Sequence, residues 1–194
     1  MKRLLLKVPS ALASAMLIVM LAVVFTVPLT GLSHAATARE LEISVDVALE
    51  KFYEEVTGGK EFISESKGYL LFPRVIKAGL GIGGEHGEGA LRIGGRTVDY
   101  YSTTAGSVGF QLGVQQKTVL VVFMTNNSLK KFRNSSGWKA GVDGSVALIK
   151  VGAGGSVDTA NIKAPIVGFV YGQKGLMYNL TLEGSKFTKL KKEK

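Results

Sequence analysis

The first stretch with a clear hydrophobic pattern is residues 39–56, where apolar side chains recur every three or four positions. These side chains are Leu41, Val45, Ala48, Leu49, Phe52 and Val56. Such spacing puts them on one face of an α-helix, and the Thr-Gly-Gly sequence at 57–59 is typical of a helix end. The other face carries six acidic residues against two basic ones. We predict a helix that packs on a protein core, because an anionic bilayer would repel its acidic face.

From residue 68 onward the pattern changes to the short apolar and alternating runs that are typical of β-strands. Pro73 predicts the end of the first strand, and Gly94-Gly95 predicts a two-residue hairpin turn. A short helical turn is predicted at 61–66 and a short helix near 127–133. The predicted strands cover residues 69–72, 91–101, 108–114, 118–124, 141–151, 166–171 and 176–182.

Glycines recur inside these predicted strands, at positions 79, 81, 83, 106, 109, 113, 141, 144 and 152. Glycine weakens a strand interior, so its repeated use indicates bends, bulges or close approach of backbones. The pattern contains no alternation of strands with helices, which argues against a doubly wound parallel sheet. We predict an α+β fold: an N-terminal amphipathic helix packed on a strongly curved, glycine-rich antiparallel sheet or small barrel, plus the short helix near 127–133.

The N-terminal 35 residues have the pattern of an export signal. Three basic residues open the chain, a 17-residue apolar run follows at 11–27, and Pro28 and Gly31 break any helix. The small residues around position 35 predict cleavage between Ala35 and Ala36. An uncleaved inner-membrane anchor is the alternative, because 17 residues reach the lower limit for a membrane-spanning helix. Either outcome predicts an exported domain, periplasmic or secreted.

Composition narrows the chemistry. The chain has 194 residues, a formal net charge of +9 and no cysteine. The absence of cysteine excludes disulfides, thiolate zinc sites, cysteine nucleophiles and a lipid-modified cysteine. Three of the 24 basic residues and none of the 15 acidic residues belong to the signal, which leaves +6 for residues 36–194. The modest charge and the predicted export argue against a nucleic-acid partner.

Motifs of catalysis and cofactor binding are weak in this chain. Residues 79–84 match G-x-G-x-x-G, but the glycine-rich segment that follows cannot open the helix that dinucleotide binding requires. Glu85, His86 and Glu88 are too few for a stable metal site on a flexible turn. Ser107 is not in a nucleophile-elbow motif. We therefore predict a non-enzymatic protein without a cofactor or a metal.

The C-terminal residues 186–194 form a lysine-rich tail, with Phe187 and Leu190 between the lysines. Basic residues beside apolar ones bind anionic lipid headgroups, at about 1 kcal/mol for each basic residue near the surface. A frayed and solvated terminus is an equally good interpretation of a short charge run. The predicted organisation is thus a signal peptide at 1–35, a single domain at 36–190 and the lysine-rich tail at 186–194.

Several ordered blocks of the sequence resemble the SYLF domain family. The first is KGYLLFPRVIKAGLGIGGEHGEG at 67–89, and the second is DYYSTTAGSVGFQLG at 99–113. Shorter blocks follow in order: FMTN at 123–126, GWKAGVDGSV at 137–146, YGQKGLM at 171–177 and LEGSK at 182–186. The chain is identified on these blocks as a bacterial-type exported member, and the resemblance covers about 40–190.

The resemblance implies a lipid-binding module without catalytic activity. Phosphoinositide and actin binding are described for eukaryotic relatives, where membrane association is linked to an N-terminal amphipathic helix. In this chain that helix is acidic, so phosphoinositide specificity does not carry over. Actin binding does not carry over either, because an exported protein does not meet cytosolic actin.

Two lipid-binding mechanisms fit the residues. In the first, the curved sheet encloses an acyl chain between the apolar residues Leu80, Ile82, Phe110, Leu112 and Trp138. In the second, basic residues dock on lipid phosphates: Arg74, Lys77, Lys174, Lys186, Lys189, Lys191 and Lys192. The expected partner is a lipid or an anionic membrane surface. The alternative is a structural or protein-interaction module of the cell envelope, with an envelope protein as partner and no lipid specificity.

Overall fold

The computed structural model of the chain describes residues 37–151, 162–175 and 182–192, except for the side chains at 80–81 and 107–112. The predicted signal peptide and its cleavage site at Ala35 and Ala36 lie outside the described residues. So does most of the strand predicted at 176–182. Among the helices of the described part, none has both the length and the apolar character needed to cross a membrane.

The predicted N-terminal helix is confirmed as α1, Ala38–Glu55. Thr37 starts it with a capping box, in which the Thr37 hydroxyl accepts from the Glu40 N–H at 3.2 Å and the Glu40 carboxylate accepts from the Thr37 N–H at 2.8 Å. Five apolar residues of the predicted stripe are buried, from Leu41 to Phe52. The short α2, Gly59–Glu65, follows after Gly58, whose φ of 74° reverses the chain direction.

The two longest elements are β1, Gly68–Ile93, and β2, Arg96–Phe123, which pair as an antiparallel hairpin. The two-residue turn is confirmed: Gly94 and Gly95 have φ values of 56° and 76°, as a type I′ turn requires. The predicted strand end at Pro73 is wrong. Pro73 lies at a register shift between Phe72 and Val75, where a bulge tolerates its missing N–H.

Among the described residues, the remaining elements complete a six-stranded sheet around β2. They are α3, Asn126–Asn134; β3, Trp138–Lys139; β4, Ala147–Lys150; β5, Ile166–Lys174; and β6, Lys186–Leu190. β1 pairs with one edge of β2, whereas β5 and β6 pair with opposite ends of its other edge. The strand predicted at 141–151 is reduced to β4, and β4 pairs in parallel with β5, an exception to the predicted antiparallel sheet.

The hairpin curls so strongly that the two ends of β1 contact each other. A Cβ added to Gly87 would lie 2.7 Å from the carbonyl oxygen of Arg74, and one added to Gly89 would lie 2.4 Å from that of Leu71. Only glycine permits such an approach. The α+β class and the curved, glycine-rich sheet are therefore confirmed. Gly87 and Gly89 were not among the glycines singled out in the sequence. Of those, Gly79 makes a close backbone approach, since a Cβ there would lie 2.5 Å from the Cα of Gly83, whereas Gly106 and Gly113 have nothing within 4 Å.

Curling gives the sheet two buried faces. The helix-side core packs α1 and α2 against residues such as Leu120 and Phe169, and its rings meet edge to face, with Phe52 and Phe169 centroids 4.9 Å apart. The inner core lies inside the curl and includes Phe72 and Phe187, whose rings stack at 5.5 Å. α3 closes the inner core through Leu129 and Phe132.

Candidate functional site

The middle of the hairpin, which we call the arm, comprises residues 76–84 of β1 and 106–116 of β2. Where its side chains are described, its outward face carries exposed apolar residues. Ile76, Val114 and Ile82 are 43%, 65% and 75% exposed, respectively. These outward positions continue the face that α1 covers further along the sheet at Leu120 and Val122. The arm therefore presents to solvent the kind of surface that the rest of the sheet buries.

The inward side of the arm is polar. Lys77 and Gln115 are cross-strand partners and both are buried, together with Lys117 two residues further along β2. The Lys117 ammonium group donates to the Glu85 carboxylate at 2.9 Å, and these two residues are only 2% and 8% exposed. Strand alternation forces this result, because the side chains next to the outward apolar ones must point inward. The arm thus has the reverse polarity of an ordinary half-buried sheet.

Basic residues lie where the arm joins the rest of the sheet. Ile76 pairs with Gln116, which pairs in turn with Lys174 on β5, so these three residues form one row across the strands. Lys174 is exposed, and so is Arg74 in the β1 bulge. Arg74 and Lys174, two of the seven predicted lipid-binding cations, therefore border the exposed apolar face. Lys77, another of the seven, is buried beneath it.

The predicted apolar lipid contacts fall in different places. Ile82 is on the exposed face of the arm. Leu80 and Leu112 are cross-strand partners in the arm, and Phe110 lies in the same part of β2, but their side chains are outside the described residues. Trp138 belongs to the packed inner core, with its ring centroid 5.7 Å from those of Phe132 and Phe187. Lipid contact by these residues stays a prediction.

The lysine-rich tail forms β6 and the residues after it, so residues 186–190 are paired in the sheet. Lys189 forms an ion pair with Asp99. Lys192 pairs with Glu88 at 3.0 Å. Lys186 and Lys191 are exposed. Part of the positive charge that the tail shows in the sequence is therefore neutralised by acidic residues of the hairpin.

The acidic face of α1 has a structural partner that the sequence did not reveal. Arg92, buried near the hairpin turn, forms ion pairs with Glu42 and Asp46 of α1. The Tyr100 hydroxyl donates to Glu42 at 2.7 Å, and so does the Thr97 hydroxyl at 2.9 Å. Burial alone would raise the pKa of Glu42, but these hydrogen bonds and Arg92 outweigh it and lower the pKa.

The same contacts act on Tyr100 in the opposite sense. Burial and the hydrogen bond to Glu42 raise the pKa of Tyr100 to about 12. The phenol therefore stays protonated and remains a donor to Glu42. The network fixes α1 on the sheet, which agrees with the predicted core-packing role of this helix.

The residues of the weak catalytic and metal-binding motifs do not converge, because they point to different sides of β1. Glu85 is bound to Lys117 inside the curl, and Glu88 pairs with Lys192. His86 is exposed on the opposite side of β1. Within residues 37–151, 162–175 and 182–192, no three His, Asp or Glu residues are grouped so that they could hold a metal ion. The G-x-G-x-x-G segment at 79–84 lies within β1 instead of opening a helix.

Sequence reasoning missed the exposed Ile76 and Val114 and the inner Lys117. Residues 75–78 read Val-Ile-Lys-Ala and residues 114–117 read Val-Gln-Gln-Lys, so neither segment alternates regularly between apolar and polar side chains and the sequence does not show which of them face inward.

Comparison with protein families gives one match. Residues 104–194 match the family model described as "Ysc84: Las17-binding protein actin regulator". The matched stretch contains the β2 half of the arm and every element that follows it. Comparison with curated proteins gives no match. The match agrees with the resemblance drawn from the sequence blocks over residues 104–194.

Proposed function

We propose, on the premise that residues 104–194 of this chain belong to the SYLF (Ysc84) family, that the protein is an exported, non-enzymatic module that binds membrane surfaces and favours anionic lipid. The family consists of binding domains. The family's name refers to Las17 binding and actin regulation, which are properties of the family. If the chain is exported, as its N-terminal pattern predicts, cytosolic actin is not available to it.

The observation that carries the proposal is the reversed polarity of the arm. Large exposed apolar side chains of a folded domain mark interaction surfaces when they lie together. Ile76, Ile82 and Val114 lie on one ribbon, and each contributes up to about 1.5–3 kcal/mol if it is fully transferred from water into an apolar phase. Together such contacts favour weak, reversible attachment to a bilayer.

The cations at the arm's junction favour anionic lipid. Arg74 and Lys174 border the apolar face, and a basic residue near an anionic surface contributes about 1 kcal/mol. The apolar contacts therefore supply most of the affinity, and the cations supply the preference for lipid charge. We assign the membrane contact to the arm and not to α1, because α1 exposes Glu50 and Glu54, which an anionic surface repels.

The test is sedimentation of the full chain with vesicles, either of neutral phosphatidylcholine or of phosphatidylcholine mixed with anionic phosphatidylglycerol. We expect the double substitution Ile82→Ser and Val114→Ser to weaken binding to the mixed vesicles at least about tenfold. The matched control is Val142→Ser, because Val142 is as exposed as Ile82 but lies in a turn far from the arm in sequence. All variants share residues 1–36, so a difference in binding between them is attributed to the substituted side chains.

Two outcomes would contradict the proposal: equal binding of the arm variant and the control, or no binding of the wild-type chain to either vesicle. A preference for the anionic vesicles that disappears in Arg74→Gln with Lys174→Gln would support the role of the two cations. High salt should reduce that preference while leaving the apolar contribution in place.

The second candidate is a protein-interaction module of the cell envelope. The observation in its favour is on α1, where Ile43 and Val47 are exposed one turn apart. Crosslinking of the chain in its host would distinguish the two functions. A specific protein partner that is lost in Ile43→Ser with Val47→Ser, together with no lipid preference, would favour this candidate.

A further inference from the structure

A concave site lies between the outer face of α3 and β6, outside the arm. Its volume is about 310 Å³. The lining residues on α3 are spaced so that they share one helix face. The full lining is Asn126, Leu129, Lys130, Arg133, Asn134 and Lys189. The described lining therefore carries three positive charges and no negative charge.

Asp99 on β2 organises two of these cations. Its carboxylate forms an ion pair with Lys189 through one oxygen, and the other oxygen lies 3.5 Å from the Nε of Arg133. One carboxylate thus holds cations from two different elements close together. Asp99 is not among the lining residues, so it stands behind the cations instead of facing the cavity. After this neutralisation the site keeps a net charge of +2.

We propose that this cavity is a binding site for a phosphate monoester. A phosphate monoester carries between one and two negative charges at neutral pH, which matches the excess charge. Arginine presents a planar fork of donors that suits phosphate oxygens, and the lysines act as point charges. The amides of Asn126 and Asn134 provide further donors at the rim, and Leu129 provides an apolar surface for the carbon side of the ester. A cavity of about 310 Å³ is too large for a monatomic ion and suits a small organic phosphate.

The site is separate from the arm. Asp99 pairs with Leu91 near the hairpin turn, whereas Ile82 lies nine residues earlier in β1. None of the residues that line the cavity belongs to the arm. The proposal therefore does not depend on membrane binding by the arm. The phosphate can belong to a soluble ester or to a lipid headgroup, and the experiment distinguishes these sources.

The experiment is calorimetric titration of the full chain with inorganic phosphate and with glycerol 3-phosphate, alongside sedimentation with vesicles that contain phosphatidic acid. We expect Arg133→Gln to weaken binding at least about tenfold, because it removes a charge-assisted hydrogen bond. Lys130→Gln should weaken it several-fold. The matched control is Lys131→Gln: Lys131 is exposed on the same helix but does not line the cavity, so its loss should change affinity less than about twofold.

Arg133→Gln removes a neighbour of the partly buried Asp99, so the melting temperature of each variant is measured first. Lys130→Gln keeps the test decisive if the Arg133 variant unfolds, because Lys130 is exposed. Binding of glycerol 3-phosphate that depends on Lys130 supports a soluble ester. Binding only to the phosphatidic acid vesicles, with the same dependence, supports a headgroup. The proposal is overturned if no probe binds or if Lys131→Gln has the same effect as Lys130→Gln. If only the arm variant loses vesicle binding, the result supports membrane binding by the arm and does not contradict the phosphate site in the cavity.

Discussion

The two ends of the hairpin and its arm are made of the same two strands, yet they differ in which face carries apolar side chains and which carries polar ones. Where the hairpin ends curl together, apolar side chains fill the inside and helices cover the outside. In the arm, Lys77 and Gln115 are inside, and Ile76 and Val114 are outside; Lys117, which lies next to the arm on β2, is also inside. The difference shows that the two-residue period of a strand does not determine which of its faces is buried. The curvature of the sheet determines it. The enclosed part is built for stability and the arm for contact.

The largest expected effect comes from the polar interior next to the arm. Lys117→Met leaves the buried Glu85 carboxylate without its ion-pair partner, and breaking a buried pair in this way costs about 3–5 kcal/mol of unfolding free energy. Urea unfolding measures the loss. The control is the double substitution Lys117→Met with Glu85→Leu, which should recover most of the loss because both members of the buried ion pair are replaced together. A double variant as unstable as the single one would contradict this account.

The next effect compares two glycines of β1. Gly89→Ala puts a methyl group 2.4 Å from the Leu71 carbonyl oxygen, and neither backbone can move without opening the curl. We expect a loss of about 3 kcal/mol, the upper range for overpacking. Gly84→Ala in the arm meets nothing within 4 Å, so thermal unfolding should show no loss for it, or a small gain from reduced chain entropy. Equal losses at the two positions would mean that the arm is as tightly enclosed as the hairpin ends.

A smaller effect comes from two valines on the same face of β2. Val122 is fully buried under α1, whereas Val114 is 65% exposed on the arm. Val122→Ala should cost about 2 kcal/mol, near the lower end for large-to-small core substitutions. Val114→Ala should change stability by less than about 0.5 kcal/mol. Chemical denaturation of both variants tests the comparison directly, and a loss at Val114 comparable to that at Val122 would show that the arm's outer face is covered.

The smallest effect concerns the polar network between α1 and the hairpin turn. Glu42→Gln should cost about 1–2 kcal/mol at pH 7, because it weakens the hydrogen bonds with Arg92 and Tyr100. The pKa of Glu42 is lowered in the folded protein, so its contribution is present above the ordinary value of 4.5 and is lost as the pH falls through the folded pKa. The difference in unfolding free energy between wild type and Glu42→Gln should therefore decrease below pH 4.5. Glu50→Gln, on the exposed side of α1, is the control. A gap that does not change with pH would contradict the assigned role.

Local elements were predictable from the sequence because their causes are local. The spacing of Leu41, Val45 and Phe52 is enough to define α1, and two consecutive glycines are enough to define the turn at 94–95. The short helix near 127–133 was found in the same way. The continuation of β1 through Pro73 was not predictable from the sequence, because the bulge that accommodates the proline depends on the partner strand.

The candidate sites were only partly predictable. Arg74, Lys174 and Ile82 were selected from their residue types, and they lie around the arm. The cavity residues Lys130 and Arg133 were missed, because their convergence with Lys189 joins parts of the chain that are far apart in sequence. Asp99 brings them together, and no spacing rule connects residue 99 with residues 133 and 189.

The sequence by itself determined the helix, the turn and the recurrence of glycine in the two long strands. The helix follows from the spacing of its apolar residues, and the turn and the glycines follow from backbone preferences. Only the tertiary structure decided which face of the two strands is enclosed. Gly87 and Gly89 let the hairpin close on itself at its ends, and this closure leaves Ile82 and Val114 facing outward while Lys117 is buried.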